Sequence, residues 1–296
     1  MGDGGTDPVM EADAGLAAQV RGLGARRMVF FAGLPGTGKS LLVHQLAHCC
    51  AAAGRRVHLL QWDVARPVFE ASSAGRRYPL IDGVTRPMIR RAAGLWARAA
   101  LVRWSEQHAA AENVLIGETP FVGGRFIELA WRLDDRAEAL LASEAVRFAI
   151  AVPSREVRRF LEAERSRRAR RPRHPRERED APPHVLRELW GDLVEVARLL
   201  RLAPAGAPLV EVEDAPPYDA DLYRQVYAQV LRHRSVAVIA LDVILPTQCL
   251  SVYDFAFTPL DVVPTEAEAE AFIREAERRH PDVATLEREI AHWWVV

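Results

Sequence analysis

Apolar and polar positions follow two different periods along this chain. Residues 27–32 (Arg-Met-Val-Phe-Phe-Ala) form a short apolar run with no helical period, the pattern of a strand covered on both faces. Residues 33–38 are glycine-rich, and residues 40–47 read as a helix. Residues 57–62 predict a second strand closing on Asp63, residues 113–117 a third ending on Glu118, residues 146–151 a fourth and residues 209–212 a fifth. Helices are predicted near 15–23, from Pro87 to about Gln107 with the proline in the first turn, around 124–132 and over 219–233. Strands alternating with helices specify an α/β fold: a parallel five-stranded sheet with helices on both faces.

Three segments stand outside this alternation. Residues 1–14 read as a loose leader. Residues 154–190 hold an Arg-dense helical stretch, a centre broken by Pro172, Pro175, Pro182 and Pro183, and a second helix. Residues 236–296 begin with a strand (236–241) and a polar-aromatic stretch. Two short helices follow, one opened by the capping-box pattern Thr265-x-x-Glu268 and one starting at Pro281-Asp282, and Trp293 and Trp294 are expected to dock the tail. The expected organisation is therefore a leader (1–14), a main domain (15–235, with a lid over about 154–190) and a C-terminal α+β extension (236–296) packed on it.

Composition narrows the function classes. The 296 residues are 49% hydrophobic and 27% charged, which excludes global disorder. A net charge of −1 gives no chain-wide polybasic character. No apolar run reaches the roughly 20 residues of a membrane span, and the acidic N-terminus is unlike a signal or transit peptide. Three cysteines cannot build a disulfide framework, so a soluble, cytoplasmic protein with reduced thiols is expected. Of 39 basic residues, 38 are Arg and one is Lys, at position 39. Where Arg serves nearly everywhere, the sole Lys marks a place that needs a compact ammonium on a flexible stem.

That lysine lies in Gly33-Leu34-Pro35-Gly36-Thr37-Gly38-Lys39-Ser40, a full match to G-x-x-x-x-G-K-[ST] between a buried strand and a helix. Glycines let consecutive backbone N–H groups turn inward towards phosphate oxygens, and the helix N-terminus adds unpaired donors. Lys39 is expected to bridge β- and γ-phosphates and the Ser40 hydroxyl to ligate Mg²⁺, with residues 33–40 and Leu41 forming the nucleotide cradle. On these residues the chain resembles the P-loop NTPase superfamily over about thirty positions. The guanine-specificity motif N-K-x-D is impossible when the only Lys is Lys39, so ATP is the expected nucleotide.

Within that superfamily the chain looks like the small-molecule and nucleotide kinases. Asp63-x-x-Arg66 after the second strand resembles the acceptor motif of adenylylsulfate kinases and zeta-toxin-like kinases. The resemblance implies Asp63 as acceptor base and Arg66 as a neutraliser of acceptor charge; the alternative is a loop-capping acid beside a surface arginine. Glu118 is a second carboxylate for Mg²⁺, or else a plain turn acid. Arg86 and Arg90, four apart at a helix start, can share a face and grip an anionic acceptor. Residues 236–242 have the form of a Walker B strand ending in Asp242, but come late in the chain and read more simply as a sheet-edge strand. Residues 155–178 carry 11 Arg in 24 positions where such kinases carry a lid. Arg155, Arg158 and Arg159, with Arg165 beyond them, are expected to stabilise the transferring phosphoryl group. The expected activity is transfer of the γ-phosphate of Mg-ATP to a small, anionic hydroxyl compound. The competing class is a non-kinase P-loop ATPase or switch whose Arg-rich arm binds nucleic acid or another polyanion.

Overall fold

The computed structural model describes residues 9–178, 180–202, 216–247 and 250–296. In chain order its helices are α1 (Ala14–Leu23), α2 (Lys39–Ala52), α3 (Trp62–Ala71), α4 (Pro87–Gln107), α5 (Arg136–Leu141), α6 (Arg155–Arg170), α7 (Pro183–Leu199), α8 (Ala220–Val230), α9 (Glu266–Arg279) and α10 (Val283–Ala291). The strands are β1 (Met28–Ala32), β2 (Arg56–Gln61), β3 (Asn113–Thr119), β4 (Val146–Pro153), β5 (Val236–Leu241) and β6 (Leu260–Asp261). They form one sheet in the order β5-β4-β1-β3-β2-β6, with every pairing parallel.

Every residue of β1 is buried, because its alternating side chains feed two cores. Met28, Phe30 and Ala32 join one apolar cluster with α4 and α8–α10. Val29 and Phe31 join the other, with α1 and α2. The sheet is thus covered on both faces, as the continuous apolar runs require. The chain steps from β3 on one side of β1 to β4 on the other, so the C-terminal end of β1 is a topological switch point, where such sheets open a crevice.

Among the described residues the sheet has six strands where five were expected. The expected strand at 209–212 lies outside the described residues. Residues 236–241 form the edge strand β5, and the two-residue β6 is too short to leave a hydrophobic period. Asp242, after β5, is exposed and two strands away from β1, a sheet-edge residue. The helix expected at 124–132 is also replaced, by 3-10 turns at Val122–Gly124 and Ile127–Leu129. There the carbonyls of Glu128, Leu129 and Trp131 are taken by the guanidinium groups of Arg98 and Arg234 rather than by a helical ladder. The Thr265–Glu268 capping box forms, Asp282 caps α10, and Trp293 is buried on the same cluster as α4. No helix among the described residues is long and apolar enough to cross a membrane.

Candidate functional site

The loop between β1 and α2 sits at the switch point. Gly38 caps α2 with φ at 87° and no side-chain hydrogen bond, so the first-turn N–H groups face outward without a capping side chain. Gly33 has φ at 148°, and a Cβ there would lie 2.0 Å from the Tyr223 hydroxyl. That hydroxyl accepts a hydrogen bond from the Leu34 N–H at 3.2 Å, so α8 braces the loop from beneath. Arg158 braces it from the other side, its Nη1 donating to the carbonyls of Pro35 and Gly36 at 3.1 Å each.

Lys39 is buried and donates to the Leu34 carbonyl at 2.8 Å. Its ammonium lies 3.3 Å from Glu118 Oε1, and the Ser40 hydroxyl donates to Glu118 Oε2 at 3.1 Å. The sequence pointed to phosphate as the partner of Lys39; the structure shows the ammonium held by the Leu34 carbonyl and the Glu118 carboxylate. Burial lowers the Lys39 pKa from the ordinary lysine value, while the Glu118 carboxylate opposes that shift. Ser40 and the part-exposed Glu118 thus present convergent hard oxygen donors, which suit Mg²⁺, an ion that takes few protein ligands and keeps water or phosphate oxygens.

Asp63 is within electrostatic reach of Glu118 and Lys39, but on a different element from the one expected. The apolar run continues through Trp62, yet β2 stops at Gln61 and Trp62 opens α3, its ring edge-on to Phe126 at 5.2 Å. Trp62 is apolar because it is buried, not because it extends the strand. Asp63 therefore lies in the first turn of α3 rather than at a strand end. Desolvation and the charge of Glu118 raise its pKa above the usual aspartate range, against Arg66, Arg125 and Lys39.

The expected acceptor arginines are mostly engaged elsewhere. Arg66 pairs with Glu70 at 2.9 Å along α3. Arg86 faces Glu287 at 3.7 Å. Arg90 donates to the carbonyls of Thr85 at 2.8 Å and Gly123 at 2.6 Å, so Arg86 and Arg90 do not form a shared clamp. Burial, and the neighbouring Arg125 charge, lower the Arg90 pKa to about 10. In the lid, Arg158 is a buried loop brace that also pairs with Glu162, not a free clamp. Arg155 donates to the Tyr218 carbonyl at 3.1 Å, and Arg159 is exposed.

Asp180, Tyr253 and Arg125 were not singled out from the sequence as members of this site, whereas Arg165 was. Arg165 lies 3.5 Å from Asp180, Asp180 accepts from the Tyr253 hydroxyl at 2.8 Å, and the charges of Arg165 and Glu118 both act on Tyr253. Lid and C-terminal segment therefore meet near Lys39 and Glu118. Arg125 has no hydrogen bond or ion pair from its side chain among the described residues, and Asp63 is the strongest charge acting on it. The only local signal for Arg125 was the Gly123-Gly124 pair before it. No protein-family model matches the chain, and neither a curated protein nor a solved structure matches it.

Proposed function

We propose that this protein is a Mg-ATP-dependent phosphotransferase acting on a small, anionic hydroxyl compound. The observation that carries the proposal is the convergence of Lys39, Ser40 and Glu118 beneath an uncapped helix N-terminus, with Asp63 and Arg125 within electrostatic reach. Backbone N–H groups from Gly36 to Ser40 and the Lys39 ammonium hold the phosphates. Ser40 and Glu118 would hold Mg²⁺, which supplies charge neutralisation to the nucleotide. Asp63 orients the acceptor hydroxyl and takes its proton; its raised pKa brings it nearer the operating pH of a general base. As the acceptor oxygen bonds to the γ-phosphorus, the bond to the bridging oxygen breaks and ADP leaves. Arg165, whose charge reaches Lys39, would meet charge spreading over the transferring group.

Ion pairing in the lid disfavours a polyanion-binding arm. Arg158, Arg165, Arg167 and Arg168 face Glu162, Asp180, Glu164 and Glu177. The exposed arginines at 170, 171, 173, 176 and 178 keep nucleic acid as the second class to test. ATP turnover measured alone, with a panel of hydroxylated metabolic acids and with RNA separates the two. Stimulation by an acid supports phosphotransfer; stimulation by RNA alone refutes it.

A further inference from the structure

A hollow of about 500 Å³ opens off Arg125. Arg90 and Arg125 line it, and Leu193 of α7, Ile290 of α10 and the tail residues Trp293 and Trp294 form apolar walls. Leu193, Ile290 and Trp293 are buried and held by the core, so the walls are preformed.

The loop that carries Arg125 is held just as firmly. Phe121 and Phe126 are fully buried with φ at 60° and 59°. Left-handed values at non-glycine residues are costly and persist only where the surroundings impose them. Here the Phe121 N–H donates to the Arg125 carbonyl at 3.0 Å, and Ile290 packs so close to Gly124 that a Cβ there would lie 2.5 Å away. The result is a guanidinium set between Asp63 and the hollow, with no ion-pair partner among the described residues. A largely buried cation in that state calls for an anion. Exposed Asp192, Glu195 and Glu287 also line the hollow and repel extended polyanions, which leaves room for a small molecule with one inward negative group.

We propose that this hollow is the acceptor subsite and that it takes an amphipathic hydroxy acid. Its aromatic or similarly apolar body lies against Trp293, Trp294, Leu193 and Ile290, its anionic group on Arg125 and its hydroxyl towards Asp63. The hydroxyl's role rests on the phosphotransferase proposal; binding to the hollow does not. The C-terminal segment, which builds one wall, thereby selects the acceptor.

Calorimetric titration of the full chain without nucleotide tests this with three probes: indolelactate, lactate and tryptophol. Indolelactate should bind saturably below about 1 mM, the upper end of usual substrate affinities. Lactate, without the ring, and tryptophol, without the acid, should each bind at least about tenfold more weakly. Arg125→Gln should lower indolelactate affinity about tenfold and leave tryptophol unchanged. Trp294→Ala should weaken both aromatic probes about fivefold and leave lactate unchanged. Lactate binding as tightly as indolelactate, or no saturable indolelactate binding, overturns the proposal on the wild-type chain alone, whatever the variants' folding. Wild-type affinities in folded Arg125→Gln and Trp294→Ala overturn it too. A separate Mg-ATP titration keeps the two proposals apart: indolelactate binding without ATP binding refutes phosphotransfer and supports the subsite, and the converse refutes the subsite.

Discussion

Lys39 is the only ammonium side chain on the chain, and it is buried against one carbonyl and one carboxylate. Replacing it with Met should abolish phosphate transfer while the far-UV circular dichroism stays native; retained turnover would refute its role. Lys39→Arg should fail as well, because a planar guanidinium does not fit a loop closed around a slim ammonium. Asp63→Asn should keep ATP affinity and lower kcat by on the order of 10², the range for losing a general base. As the proposed base, Asp63 would act as the carboxylate, so with its pKa raised the activity should rise with pH along a limb above the usual aspartate range. A kcat/KM profile shows that limb directly; an unchanged profile in Asp63→Asn would return the residue to a structural role. Lys39, Ser40 and Glu118 were legible in the sequence because the loop motif and the strand end are local patterns. Arg125 and the Arg165–Asp180–Tyr253 contact were not, since separate loops meet only after the sheet has formed.

The segment after β3 shows the same limit at the level of elements. The long helix α4 and the capping box of α9 are local instructions, from Pro87 and from Thr265 with Glu268, and both appear where the sequence puts them. Residues 124–132 carry no such closed instruction. Their course is fixed by Arg98, whose guanidinium is bidentate to Asp135 at 2.6 Å for each bond, and by Arg234, which grips Glu138 at 2.8 and 3.0 Å. Arg98→Ala should destabilise the chain by about 1–3 kcal/mol, because it leaves the Glu128 and Trp131 carbonyls without their donor while the part-exposed Asp135 can rehydrate. Chemical denaturation measures it, and a loss below about 1 kcal/mol would contradict the account.

Glu128 in this segment is fully buried, and burial lifts its pKa to about 7 despite Arg91 at 3.2 Å. A raised pKa means the folded chain favours the protonated acid. That stability is present below the unfolded value near 4.5 and is lost as pH rises through about 7. Glu128→Gln cannot lose a proton, so its melting temperature relative to wild type should climb from about pH 5 to about pH 8. Parallel melting curves across that range would contradict the assignment.

For the molecule as a whole, the sequence made the α/β architecture plain, because buried strands alternating with helices have few other solutions. The sheet's edges were only partly legible: residues 236–241 read as a sheet-edge strand, which β5 is, whereas β6, with two residues, leaves no period to read. The architecture brings the segments after β1, β2 and β3 to one end of the sheet, where the proposed site lies, near residues 154–190 and the C-terminal tail. An alanine scan of the lid should make Arg165 costly to kcat and leave Arg170, Arg171, Arg176 and Arg178 near wild type. Micromolar RNA binding that weakens steeply between about 50 and 200 mM salt, spread over those four, would contradict this. The central claim, that residues 33–40 bind a nucleoside triphosphate, is tested most directly by calorimetric titration of Mg-ATP into the wild-type chain and into Lys39→Met. Single-site, saturable binding that weakens at least about tenfold in the variant is the predicted result; no binding, or equal binding by both chains, would contradict it.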